Sequence, residues 1–128
     1  LLYLMELKPE QLATSRYSSQ QAEWIKEIHQ QLTEHLDQRF TIEALAKQYL
    51  INASTLKEVF KAVYGLPIAT YMKEYRMRRA MKLLRETDAS IADIAAQVGY
   101  ETQGKFAQAF KDVVHALPTE YRKQYVQR

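Results

Sequence analysis

Apolar residues return every three or four positions through most of the chain, and the stripes they form predict helices. Ala22, Ile25, Ile28, Leu32 and Leu36 predict a helix over 20–36 after the capping residues Ser18 and Ser19, with Trp24 and His29 beside the stripe. A short helix follows at about 42–49, capped by Thr41, with Glu43 in its first turn and Ile42, Leu45 and Ala46 along its buried edge. It is too short to stand alone. Asn52 is a good N-cap for a third helix, with Leu56, Val59, Phe60 and Val63 on one side and Ser54, Lys57, Glu58 and Lys61 on others. Gly65 can stop that helix in the left-handed conformation, and Pro67 opens a longer one reaching about Arg85.

The pattern then repeats. Ser90 caps a short helix carrying Ile91, Ile94, Ala95 and Val98; after Gly99-Tyr100-Glu101, Thr102 caps another that carries Phe106, Ala109 and Phe110 and reaches Lys111. Ile42 matches Ile91, Leu45 matches Ile94, Ala46 matches Ala95, and Phe60-Lys61 matches Phe110-Lys111. The copies differ by one residue, Ile42 to Phe60 spanning 18 positions and Ile91 to Phe110 spanning 19. Leu50 occupies the turn position that Gly99 fills in the second copy, so the first turn is expected to take another conformation. Pro118 begins a last helix. The expected fold is all-α, about seven helices arranged as two helix-turn-helix subdomains joined by a long linker helix. Its parts are 1–19 as a linker or the end of a preceding domain, 20–66, the linker helix 67–86, and 87–128.

Composition agrees with helices. The chain has 128 residues, 47% of them apolar and 26% charged, with three glycines and three prolines, too few turn signals for a sandwich or barrel. It has no cysteine, which excludes a disulfide scaffold, a thiol nucleophile and a cysteine zinc site, and is compatible with a cytoplasmic location. No apolar run approaches the roughly 18 residues that span a bilayer, so no membrane association is expected. A first residue of Leu suggests a piece of something longer. No glycine-rich phosphate loop, serine elbow or paired-acid constellation is present, so no enzyme activity and no cofactor are expected. His29, His35 and His115 lack partners at metal-ligand spacing, and no metal is expected either.

The net charge of +3 is unevenly spread. Residues 57–85 carry eight basic and two acidic residues, 86–104 carry none and four, and 105–128 carry five and two. Two basic stretches around an acidic one suit a polyanion-binding surface, although a solvated helix face explains the same charge. A helix-turn-helix places its second helix in a DNA major groove. The linker helix, roughly 28 Å long at 1.5 Å per residue, suits two such helices one turn of double-stranded DNA apart. The competing reading is a basic helical protein-interaction module that holds an acidic partner without sequence-specific DNA binding.

Three motif groups sharpen the choice: Tyr75-Arg76-Met77-Arg78-Arg79-Ala80-Met81-Lys82-Leu83-Leu84, then Ile91-Ala92-Asp93-Ile94-Ala95 with Val98-Gly99-Tyr100, then Phe106, Phe110-Lys111, Pro118 and Tyr121-Arg122. With them, residues 20–125 resemble the DNA-binding domain of the AraC/XylS (arabinose-operon regulator) family of bacterial transcription factors. The resemblance implies a sequence-specific regulator, usually an activator that recruits RNA polymerase, often with a separate N-terminal domain through which alone a small-molecule effector would act. It places base contacts on Ser54, Thr55, Lys57 and Glu58 of the first recognition helix and on Gln103, Gly104, Ala107 and Gln108 of the second.

The chemistry of these side chains is suitable but uneven. Gln103 can pair with adenine N6 and N7, Lys57 can donate to guanine O6 or N7, Glu58 can accept from cytosine N4, and Ala107 can meet a thymine methyl. Lys61, Lys105, Lys111 and the linker arginines are expected to meet phosphates, with structural salt bridges as the other role for Arg76 and Arg79. Gly104 and Ala107 carry no hydrogen-bonding side chain, so the second subdomain is expected to read fewer bases. His115 stands where the family commonly has a helix-ending glycine. Trp24 is expected in the core or against a preceding domain.

Overall fold

The computed structural model describes residues 19–126. The expectations for Ser18 and the rest of 1–18 lie outside the described residues. Seven α-helices and no strand occur among those described: α1 (Ser19–Glu34), α2 (Ile42–Gln48), α3 (Ala53–Tyr64), α4 (Ile68–Glu86), α5 (Ile91–Gln97), α6 (Gln103–Val114) and α7 (Pro118–Val126). Most boundaries match the sequence pattern within a residue or two. One differs further, since α6 runs one turn past Lys111; α1 stops two residues early at Glu34, leaving the buried Leu36 in the following turn.

The described residues divide into two compact units, one holding 19–34 with 40–71 and the other 35–39 with 72–126. In the first, α2 packs on α3 and α1 packs on α3. Its interior is built from Trp24, Ile25, Ile28 and Leu32 of α1, Leu45 and Ala46 of α2, and Leu56, Val59, Phe60 and Val63 of α3, all buried. Each such large side chain contributes roughly 1.5–3 kcal/mol by leaving water. At its edge, His29 stacks on Tyr64 with ring centroids 4.3 Å apart and shares a 2.8 Å hydrogen bond with the Tyr71 hydroxyl. The sequence pattern had put His29 merely beside the stripe.

The second unit repeats the arrangement with α5 on α6 and α6 on α7. Met77, Ala80 and Leu84 of α4, Ile94, Ala95 and Val98 around α5, Phe106, Ala109 and Phe110 of α6 and Tyr121 of α7 form one buried cluster. Arg122 ties the end of α4 to α7. Its guanidinium donates to the carbonyls of Leu84 at 3.1 Å, Thr87 at 3.1 Å and Ala89 at 2.7 Å, satisfying groups that a helix end leaves without partners.

Both inter-helix turns end their first helix in the same way. Ile51 N donates to Ala46 O at 2.9 Å and Leu50 N to Lys47 O at 3.2 Å; Tyr100 N donates to Ala95 O at 2.9 Å and Gly99 N to Ala96 O at 3.1 Å. This is the Schellman pattern, which requires a left-handed residue. Gly99 supplies it at φ 87° and Leu50 at φ 56°. The expectation that the first turn takes another conformation is therefore corrected: the bonding is the same, and leucine carries the strain. The one-residue difference between the copies is Glu101, inserted after the turn and before the cap Thr102.

Candidate nucleic-acid interface

The second helix of each helix-turn-helix, α3 or α6, is started by its N-cap. The Asn52 side-chain oxygen accepts from Ser54 N at 2.8 Å and Thr55 N at 3.4 Å. Thr102 Oγ1 accepts from Lys105 N at 3.1 Å. Each bond satisfies a donor that the helix start would otherwise leave open, and each fixes the entry of α3 or α6 into its unit.

Burial of one stripe exposes the other. In α3 the residues 56, 59, 60 and 63 are buried, so the stripe at the same spacing on the far side, Ser54, Lys57, Glu58 and Lys61, faces water. In α6, Phe106, Ala109 and Phe110 are buried, and Gly104, Gln108 and Lys111 are exposed with Ala107 half-buried between them. Counted from the caps Asn52 and Thr102, Ser54 corresponds to Gly104, Lys57 to Ala107, Glu58 to Gln108 and Lys61 to Lys111. Both stripes thus end on a lysine at the same register. Gln103 and Lys105 are exposed in the first turn of α6, whereas Thr55 is half-buried and off the α3 stripe. A shallow, mainly apolar groove of about 270 Å³ lies beside the start of α6, lined by Ile91, Gln103, Gly104, Ala107, Leu117, Pro118 and Thr119.

Several contacts around the candidate site escaped sequence reasoning, all but the Gln108–Asp112 pair because they join residues far apart in the chain. Gln108 Nε2 donates to Asp112 Oδ1 at 2.9 Å, and Lys73 Nζ lies 3.2 Å from Asp112 Oδ2, so Gln108 is held in orientation on its own helix. The hydrogen bond from Gln108, then that from Lys73, holds the Asp112 carboxyl below its ordinary pKa. The linker-helix arginines divide. Arg78 and Arg79 are exposed, but Arg76 is buried at 3% exposure. Its Nη1 donates to Val98 O at 2.8 Å and to Leu36 O, and its Nη2 to Gln38 O at 3.3 Å. The salt bridge expected of Arg76 is replaced by bonds to carbonyls, and burial turns the guanidinium away from the surface on which a phosphate would be met. Burial, followed by the charge of Arg39, lowers its pKa to about 10, which leaves it cationic at neutral pH.

A family model described as a helix-turn-helix domain matches residues 45–124, more than half of the chain. The chain belongs to the AraC/XylS family. Among its relatives in that family, the HTH-type transcriptional activator RhaR of Mannheimia succiniciproducens is 29% identical over 104 residues, 81% of this chain and 38% of that protein. The melibiose operon regulatory protein of Escherichia coli is 33% identical over 97 residues, 76% of this chain and 32% of that protein. The chain therefore spans about a third of the length of these AraC/XylS relatives. Among solved structures, the C-terminal domain of AraT, a response regulator from Geobacillus stearothermophilus, superposes with a TM-score of 0.74 at 29% identity, covering 79% of this chain and 84% of that one. Among the described residues, no helix is long and apolar enough to cross a membrane.

Proposed function

We propose that this chain is the duplex-DNA-reading part of a bacterial transcription regulator, and that α3 and α6 each lie in a major groove. The observation that carries this reading is the pair of exposed stripes at one register, each on the second, N-capped helix of a helix-turn-helix. Ser54, Lys57 and Glu58 face base edges in the first unit, with Thr55 set back from that stripe, and Gln103, Gly104, Ala107 and Gln108 face them in the second. Lys57 donates to guanine, Gln103 pairs with adenine, and Glu58 accepts from cytosine. Lys61, Lys105 and Lys111 meet phosphates, which position the protein without specifying sequence. The apolar groove beside Ala107 offers a surface for thymine methyl groups, in keeping with fewer hydrogen bonds from the second unit. Action as a cytoplasmic activator that contacts RNA polymerase, with any effector bound elsewhere in a longer protein, follows from the same reading.

Gel shifts at several salt concentrations test it, using duplexes recovered by the protein from a randomised pool and scrambled versions of them. A reader prefers its recovered sequence by about 10³ or more, with affinity that falls steeply as salt rises. Affinity indifferent to sequence favours the acidic-protein-binding module instead. Lys61→Ala should weaken all sequences alike and lower the salt slope by about one, while Gln103→Ala relaxes preference at one position.

A further inference from the structure

The turn between α5 and α6 is held at three consecutive residues by groups distant in sequence. Val98 O accepts from Arg76, Gly99 O accepts from Arg39 Nε at 2.8 Å, and the Tyr100 ring lies 4.7 Å from the Arg39 guanidinium carbon. Arg39 belongs to the segment 35–39, which packs in the second unit although it precedes the first helix-turn-helix in the chain. The other end of the same clasp is Arg76 on Leu36 O and Gln38 O. A Cβ on Gly99 would run into Arg76 Nη1 and Leu36 O, so the clasp closes through the space that glycine leaves. Arg76 Nε is buried without an acceptor, so the guanidinium leaves one donor unsatisfied while its terminal nitrogens bind the loop carbonyls.

We propose that Arg76 is a positioning residue for the second recognition helix: by fastening the α5–α6 turn to residues 35–39, it sets the start of α6 and hence the base preference of the second unit. This rests on the reading of α6 as a DNA-contacting helix. Arginine is required because its planar fork addresses several carbonyls at once, which the single ammonium of lysine does not. Segment 35–39 thereby becomes part of the second reader, and changes within it should alter recognition by α6 while leaving recognition by α3 intact.

The test measures base preference position by position on duplexes recovered from a randomised pool. Base pairs whose preference falls in Gln103→Ala define the α6 set, and those that respond to Lys57→Ala define the α3 set. Arg76→Met should lower preference in the α6 set by about tenfold, within the range of one lost base contact, and leave the α3 set unchanged. Arg76→Lys should resemble Arg76→Met. Arg39→Ala alters an exposed residue and should give the same pattern more weakly, which keeps the proposal testable if Arg76→Met does not fold. An equal loss in both sets, or no loss in the α6 set, would overturn it. Recovery of a preferred sequence by the unaltered protein, with amide exchange read beside it in the free protein, separates failure of this proposal from failure of the DNA reading itself. If the unaltered protein recovers no preferred sequence, the proposal falls with that reading, even where Arg39→Ala still speeds exchange at Gly99 and Tyr100.

Discussion

The two helix-turn-helix units solve one backbone problem with opposite residues. Each needs a left-handed residue in its turn and another at the end of its recognition helix. The first unit uses Leu50 at φ 56° and Gly65 at φ 87°; the second uses Gly99 at φ 87° and His115 at φ 66°. The backbone requirement is the same at corresponding places, so the choice of residue is decided by what surrounds it. At Gly99 the space for a side chain is filled by Arg76 and Leu36 O, whereas Leu50 is 92% exposed. Topology dictates the conformation, and packing dictates whether glycine is obligatory.

The largest expected effect follows from breaking that difference. Gly99→Ala combines a positive φ with collision against a buried guanidinium and should destabilise the second unit by about 3 kcal/mol or more, read as a drop in melting temperature with loss of DNA binding. Gly65→Ala meets nothing within 4 Å, so only the backbone penalty remains. Chemical denaturation should show a cost of about 1 kcal/mol. Leu50→Gly and His115→Gly relieve left-handed strain at exposed positions, and each should raise stability by about 0.5–1 kcal/mol after the added freedom of the unfolded chain is subtracted. A loss at Leu50→Gly would show that the leucine is held by something other than backbone geometry.

The smallest effect concerns the exposed Lys73–Asp112 pair, which has no counterpart at Ala62, the equivalent position of the first recognition helix. Asp112 is lowered in the folded state, so the stabilisation it gives is present above the ordinary carboxylate pKa and is lost as pH falls through the lowered value. Carboxyl NMR titration of Lys73→Met should move Asp112 only part of the way back, because the Gln108 hydrogen bond is the larger cause. Full return would assign the shift to Lys73 instead.

Much of this was legible in the sequence because it is local. Thr41, Asn52, Ser90 and Thr102 all cap the helices they precede, and Gly65 ends α3 in the left-handed region as its position implied. The apolar stripes of α3 and α6 fix by subtraction which residues face water. Arg76 was misread because its partners are backbone carbonyls 22 to 40 positions away, which carry no side-chain signature. Arg122 stood out as part of a motif but was given no role for the same reason, since the carbonyls it binds are 33 to 38 positions away. The Leu50 turn was misread because exposure, which lets a non-glycine residue take a positive φ without a clash, is a property of the folded surroundings.

The central claim is that both exposed stripes touch duplex DNA. Its most direct measurement is the amide NMR shift of Ser54, Lys57, Lys61, Gly104, Gln108 and Lys111 as a preferred duplex is titrated in. The two stripes should move together and saturate at a single equivalent, with far smaller shifts for a scrambled duplex. A stripe that stays unmoved at saturation would contradict the account.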